Sequence, residues 1–191
     1  MFCRRSLPGK SLSATVAIIG AGPLGRWLAL AAARAGCRVL LEDVMPLNLR
    51  HAQEALRQQL GPEALPAVKF VATVEDAVRD ADLAIDCVPD ELESKLEILW
   101  LLDRMAPPRT ILATPTTRLS IGDLAACTYR ADRCIAIAAE AAELTSESAT
   151  HPEGASLRLR RTAQTTPETI QAVSDFWKSL GFVPLWESEP S

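Results

Sequence analysis

The sequence predicts an α/β domain built on a doubly wound, mostly parallel sheet. Three observations carry that expectation. Short apolar runs alternate with longer segments of helical period from Thr15 onward. The first run, Val16–Ile19, feeds Gly20-Ala-Gly-Pro-Leu-Gly25, a G-x-G-x-x-G turn that opens an Ala/Leu-rich segment. The second run, Val39–Asp43, ends in an acid 18 residues beyond Gly25. Strand, glycine turn, helix and acid at these spacings together mark a dinucleotide site, which no one of them does alone.

The elements follow in order. Pro23 to Ala35 reads as a helix stopped by Gly36. Pro46 to Leu60 is amphipathic and closes at Gly61-Pro62. Val68–Val71 is a short third strand, and Thr73 caps a small helix from Val74 to Arg79. Leu83–Val88 reads as a buried fourth strand, and Glu91 to Met105 as a helix ended by Pro107-Pro108. Thr110–Ala113 is the fifth strand, and Ser120 caps a helix running towards Ala126. Arg133–Ile137 is the sixth strand. Glu140 to Ser156 is polar and without period, as a surface loop would be. Leu157–Arg160 alternates with period two, Thr166 opens a helix to Leu180, and Val183–Trp186 is a last strand. These boundaries give one Rossmann-type domain over residues 14–191, with extra strands at one edge and a frayed leader over 1–13.

The glycine turn and the acid define the chemistry. Gly20 turns the chain out of the strand, Gly22 lets a pyrophosphate approach the backbone, and Gly25 lets the helix pack on the sheet. Pro23 and Leu24 begin that helix, whose free N–H groups and positive dipole end attract phosphate. Asp43 is placed to accept from the ribose hydroxyls and to repel a 2′-phosphate. No Arg follows it, so the expected cofactor is NAD rather than NADP.

Composition excludes other classes. At 191 residues, 48% hydrophobic and 23% charged, the chain is long enough for a sizeable core. A net charge of −4 and the absence of a Lys/Arg stripe exclude a nucleic-acid surface. No run approaches the ~20 apolar residues that cross a membrane. The five cysteines show no C-x-x-C spacing and read as reduced thiols in a cytoplasmic protein. Two histidines, His51 and His151, rule out a His-rich metal site.

From Ala14 to Glu187 the segments resemble the NAD-binding domain of the L-3-hydroxyacyl-CoA dehydrogenase family. Its carriers are Gly20–Gly25, Leu41–Pro46, Ala84–Lys95, Ile111–Ile121 and Thr165–Thr169. The resemblance implies that Val88, Pro89 and Lys95 stand at the nicotinamide half, with Asp90 on the family's acidic position. Lys95 also admits a plain reading, as a surface lysine on an amphipathic helix. The family oxidises a hydroxyl with a His base held by a Glu, aided by a Ser and an Asn. At those positions this sequence has Ala138 for the His, Arg158 for the Glu, Thr117 for the Ser, and Pro115 and Ala141 where the family's motifs carry Asn. A methyl group cannot take a proton, so no residue is assigned as catalytic. Glu140 stands two positions from the replaced His, either as a substitute base or as a solvated carboxylate. His151 lies in a lengthened loop, where solvation is the plainer reading. Trp27 stands where the family has a small residue, either in the core or against the nicotinamide channel.

The family continues into a helical domain that supplies most of the acyl-CoA cleft and the dimer contacts; the expectation here is a departure from it, a domain that stands without that part. The expectation is therefore an NAD-binding protein with reduced or redirected activity, assembled as a homodimer through the uncovered face. Two other readings stand beside it: an oxidoreductase for a small hydroxy or keto substrate completed by a dimer mate, and a non-catalytic NAD(H)-responsive partner.

Overall fold

A computed structural model describes residues 14–139, 141–145 and 154–188. The leader 1–13, Glu140 and His151 lie outside the described residues. Eight strands form one sheet: β1 (Thr15–Ile19), β2 (Arg38–Glu42), β3 (Val68–Val71), β4 (Leu83–Asp86), β5 (Ile111–Pro115), β6 (Cys134–Ile137), β7 (Ser156–Arg161) and β8 (Val183–Ser188). Their order is β3-β2-β1-β4-β5-β6-β7-β8. The first six are parallel, and the order reverses at β1 and β4, which opens a crevice above their carboxyl ends. β7 runs antiparallel to β6, and β8 returns parallel to β7. That last return needs a crossover, which the helix between them supplies.

The helices are α1 (Pro23–Arg34), α2 (Pro46–Gln59), α3 (Val74–Val78), α4 (Leu92–Met105), α5 (Ile121–Ala125), α6 (Ala141–Leu144) and α7 (Pro167–Ser179). Strand alternation divides the core into two layers. Val16, Ile18, Val39, Leu41 and Ile85 face α1, α2 and α7. Ala17, Ile19, Leu40, Ala84 and Leu112 face α3, α4 and α5. Thr73, Ser120 and Thr166 cap their helices by accepting the N–H three residues on, as the sequence indicated.

Two readings are corrected. The stretch from Glu140 to Ser156 is not wholly loop: Ala141–Leu144 forms α6, and Leu144 is buried in the core beside α1. Four residues are too few to show a helical period, so the helix rests on that one buried anchor. Lys95 is not a surface lysine: it is 0% exposed. Trp27 is a core residue, edge-on to Phe182 at 6.0 Å between ring centres, and Phe182 meets Trp177 the same way at 5.5 Å. This aromatic row fixes α1 against α7 and the start of β8.

Candidate functional site

The site grows from the turn between β1 and α1. Gly20 has φ +104°, a conformation side chains rarely adopt, and its N–H donates to the Glu42 carbonyl at 2.8 Å. A Cβ on Gly25 would stand 1.8 Å from the Gly20 carbonyl oxygen, so only hydrogen fits there. Around Gly22 nothing lies within 4 Å of an added Cβ, and that side of the turn is open. Gly22 is the N-cap of α1, with Pro23 in its first turn and no side chain capping it. The uncapped N–H groups of a twelve-residue helix therefore face the opening, which fits a pyrophosphate.

Asp43 follows directly on β2 and is buried. Its Oδ2 accepts from the Ala21 N–H at 2.8 Å, and its Oδ1 from the Met45 N–H at 2.8 Å. Asn48 Nδ2 reaches both oxygens at 3.2 and 3.1 Å. The carboxylate thus ties the glycine turn to the β2–α2 turn. Asn48 was not singled out in the sequence; an amide five residues past the acid, on the first turn of α2, was the available sign. Glu42, 5% exposed, stands beside Asp43, and burial together with the Asp43 charge pushes its carboxyl up to about 7.

A cleft of about 450 Å³ leads away from the turn. It is lined by Gly22, Pro23 and Leu24 at the turn, by Cys87, Val88, Pro89 and Asp90 after β4, by Pro115, Thr117 and Arg118 at the end of β5, and by Ala139 and Ala142 after β6. Val88 and Pro89 thus share one opening with the glycine turn, whereas Lys95 does not reach it. Lys95 Nζ lies under the cleft floor, 2.6 Å from Asp86 Oδ1. Asp86 Oδ2 and the Thr114 hydroxyl are buried there too, and Thr114 and the Val88 N–H favour the ionised carboxyl. Burial pushes the Asp86 carboxyl above its usual range, and Lys95 opposes that shift.

At the far end Ala138 donates its N–H to the Arg158 carbonyl at 2.9 Å, continuing the β6–β7 ladder. The two positions on which the resemblance places a base and its orienting acid are therefore neighbours, filled by a methyl and a guanidinium. Thr117 donates its N–H to Asp90 Oδ2 at 3.4 Å. Among the described residues no group of three His, Cys, Asp or Glu could hold a metal ion, and no helix is long and apolar enough to cross a membrane.

The sheet order and the open glycine turn define a dinucleotide-binding domain of the Rossmann type. Residues 15–138 match the model for the 3-hydroxyacyl-CoA dehydrogenase NAD-binding domain, and the chain belongs to that family, whose cofactor is NAD. It is 32% identical over 133 residues to a probable 3-hydroxybutyryl-CoA dehydrogenase of Bacillus subtilis, covering 63% of this chain and 46% of that protein. With an L-carnitine dehydrogenase of Burkholderia mallei the identity is 33% over 186 residues, 90% of this chain and 54% of the relative. The chain spans about half the length of these relatives. Among solved structures, (S)-3-hydroxybutyryl-CoA dehydrogenase from Ralstonia eutropha superposes with a TM-score of 0.79 at 27% identity, over 92% of this chain and 64% of that one. A diketoreductase gives 0.79 at 26% identity, over 95% and 66%.

Proposed function

We propose that this chain holds NAD between the Gly20–Gly25 turn and Asp43, and that the family's proton-transfer set is replaced, leaving reduced or redirected chemistry. The observation that carries this reading is the pairing of Ala138 with Arg158 across β6 and β7. Neither an alanine methyl nor a guanidinium can accept a proton, and acid–base catalysis contributes typically ~10²–10⁴-fold. Thr117 keeps a hydroxyl on the cleft wall, but Pro115 offers no donor beside it.

When bound, NAD supplies hydride transfer. The protein's share is to orient it: the N–H groups at the start of α1 hold the pyrophosphate, Asp43 takes the ribose, and Val88 and Pro89 wall the nicotinamide half. The homodimer is placed on the face beside β5 and β6 that the family's helical domain covers, with residues 140–156 near its boundary.

Excess protein with NADH and acetoacetyl-CoA is expected to give no useful decay of NADH absorbance. Turnover near the enzyme median of about 10 s⁻¹ would overturn the reading. Calorimetric titration is expected to give NADH at least ~10-fold tighter binding than NADPH, about 1.4 kcal/mol. Asp43→Ala should narrow that gap, and equal affinity in the unchanged protein would remove Asp43 from the ribose.

A further inference from the structure

One arginine lines the cleft. Arg118 enters it from the turn after β5, exposed, and among the described residues its guanidinium makes no ion pair. Its backbone is held in place: the Arg118 N–H donates to Thr116 Oγ1 at 3.3 Å and the Leu119 N–H to the same oxygen at 3.0 Å. Arg160 sends Nη2 to the Thr116 carbonyl at 2.6 Å, beneath that turn. Leu157 and Leu159 face the layer of α1 and α7, so Arg158 and Arg160 point to the opposite face of β7, the face of the Thr116–Arg118 turn. Asp90 is the acid on the same cleft wall; its Oδ2 accepts from the Thr117 N–H at 3.4 Å, and it makes no contact ion pair with Arg118.

Arg118 is the one guanidinium among the residues that line this cleft, and it shares the lining with Thr117 and the Asp90 carboxyl. Pro115, Ala139 and Ala142 supply the walls. An arginine fork matches a carboxylate in two parallel hydrogen bonds, and low-dielectric walls strengthen the attraction. A thioester offers that fork only a neutral carbonyl.

We infer that the substrate of this cleft is an oxo or hydroxy acid with a free carboxylate, held by Arg118. This rests on the reading that NAD occupies the glycine-turn end of the same cleft.

The test has two stages. NADH is titrated first; no binding would strike the cofactor reading and take this inference with it. The NADH-saturated protein is then titrated with acetoacetate and pyruvate, and separately with their methyl esters, by calorimetry. The expected result is at least one free acid binding ~10-fold or more tightly than its ester. Arg118→Met should erase that preference with NADH still bound and the melting temperature kept, and Arg118→Lys should restore part of it. Acids and esters binding alike, neither acid binding, or an undiminished preference in Arg118→Met would each overturn the assignment.

Discussion

Lys95→Met is expected to cost the fold about 3–5 kcal/mol, because it leaves Asp86 charged and alone in the core. Both side chains are 1% exposed or less, and the 2.6 Å contact is the only ion pair either makes among the described residues. At about 2–4 °C per kcal/mol for a chain of this size, the melting temperature should fall by roughly 6–20 °C at pH 7. The loss should shrink on acidification. Burial already favours the protonated Asp86 carboxyl, and without Lys95 only the smaller influences of the Thr114 hydroxyl and the Val88 N–H oppose that preference. Asp86→Leu with Lys95→Met removes both charges and should recover most of the stability, since well-packed apolar pairs match or exceed buried ion pairs. Denaturant melts of the three variants measure this. A loss below 1 kcal/mol in Lys95→Met would show that Asp86 is hydrated or neutral in the native protein.

That pair also shows how far the sequence could be read. The cofactor end was legible because each requirement is local: a glycine turn after an apolar run, then an acid at a set distance. Lys95 was harder, since its partner lies nine residues away on another element. A sign was present nonetheless. Lys95 shares the inward stripe of α4 with Leu99 and Leu102, and Asp86 ends a wholly buried strand. A lysine on an apolar stripe facing an acid in an apolar strand is the pattern of a buried ion pair. Strand direction at the far edge was not legible, because period two is the same in parallel and antiparallel strands. The contact of Arg160 with the turn that carries Arg118 was not legible for a different reason. The two come from elements about 40 residues apart in sequence and are brought together only through the β5–β6–β7 ladder.

Glu42→Gln is expected to flatten part of the protein's pH dependence and to stabilise it above neutrality. Glu42 faces the α3–α4 layer, in register with Ile19 on β1 and Val71 on β3. The charged groups around it are Asp43 next in the chain, Lys69 on the same face of β3, and Glu75 and Asp76 on α3, with Asp86 two strands away. Burial and Asp43 raise its carboxyl from 4.5 to about 7. In the unfolded chain the group ionises at the lower value, so the folded state holds an extra proton between the two. Stability from this group is therefore intact below about pH 4.5, declines as pH rises, and is lost once pH passes about 7. The full loss is about 3 kcal/mol, since each pH unit between the two values corresponds to ~1.4 kcal/mol. Gln cannot ionise, so the variant should match the parent near pH 4 and exceed it by up to that amount at pH 8. Urea melts of both proteins at pH 4, 5, 6, 7 and 8 give the difference directly, with every other titrating group cancelling. A difference that stays constant with pH would place Glu42 in contact with water and return its carboxyl to the ordinary range. Cofactor binding should follow the same sign, because an ionised Glu42 beside Asp43 adds a second negative charge where an anionic dinucleotide must dock. NADH affinity in the parent protein should weaken from pH 6 to pH 8, and Glu42→Gln should hold it level.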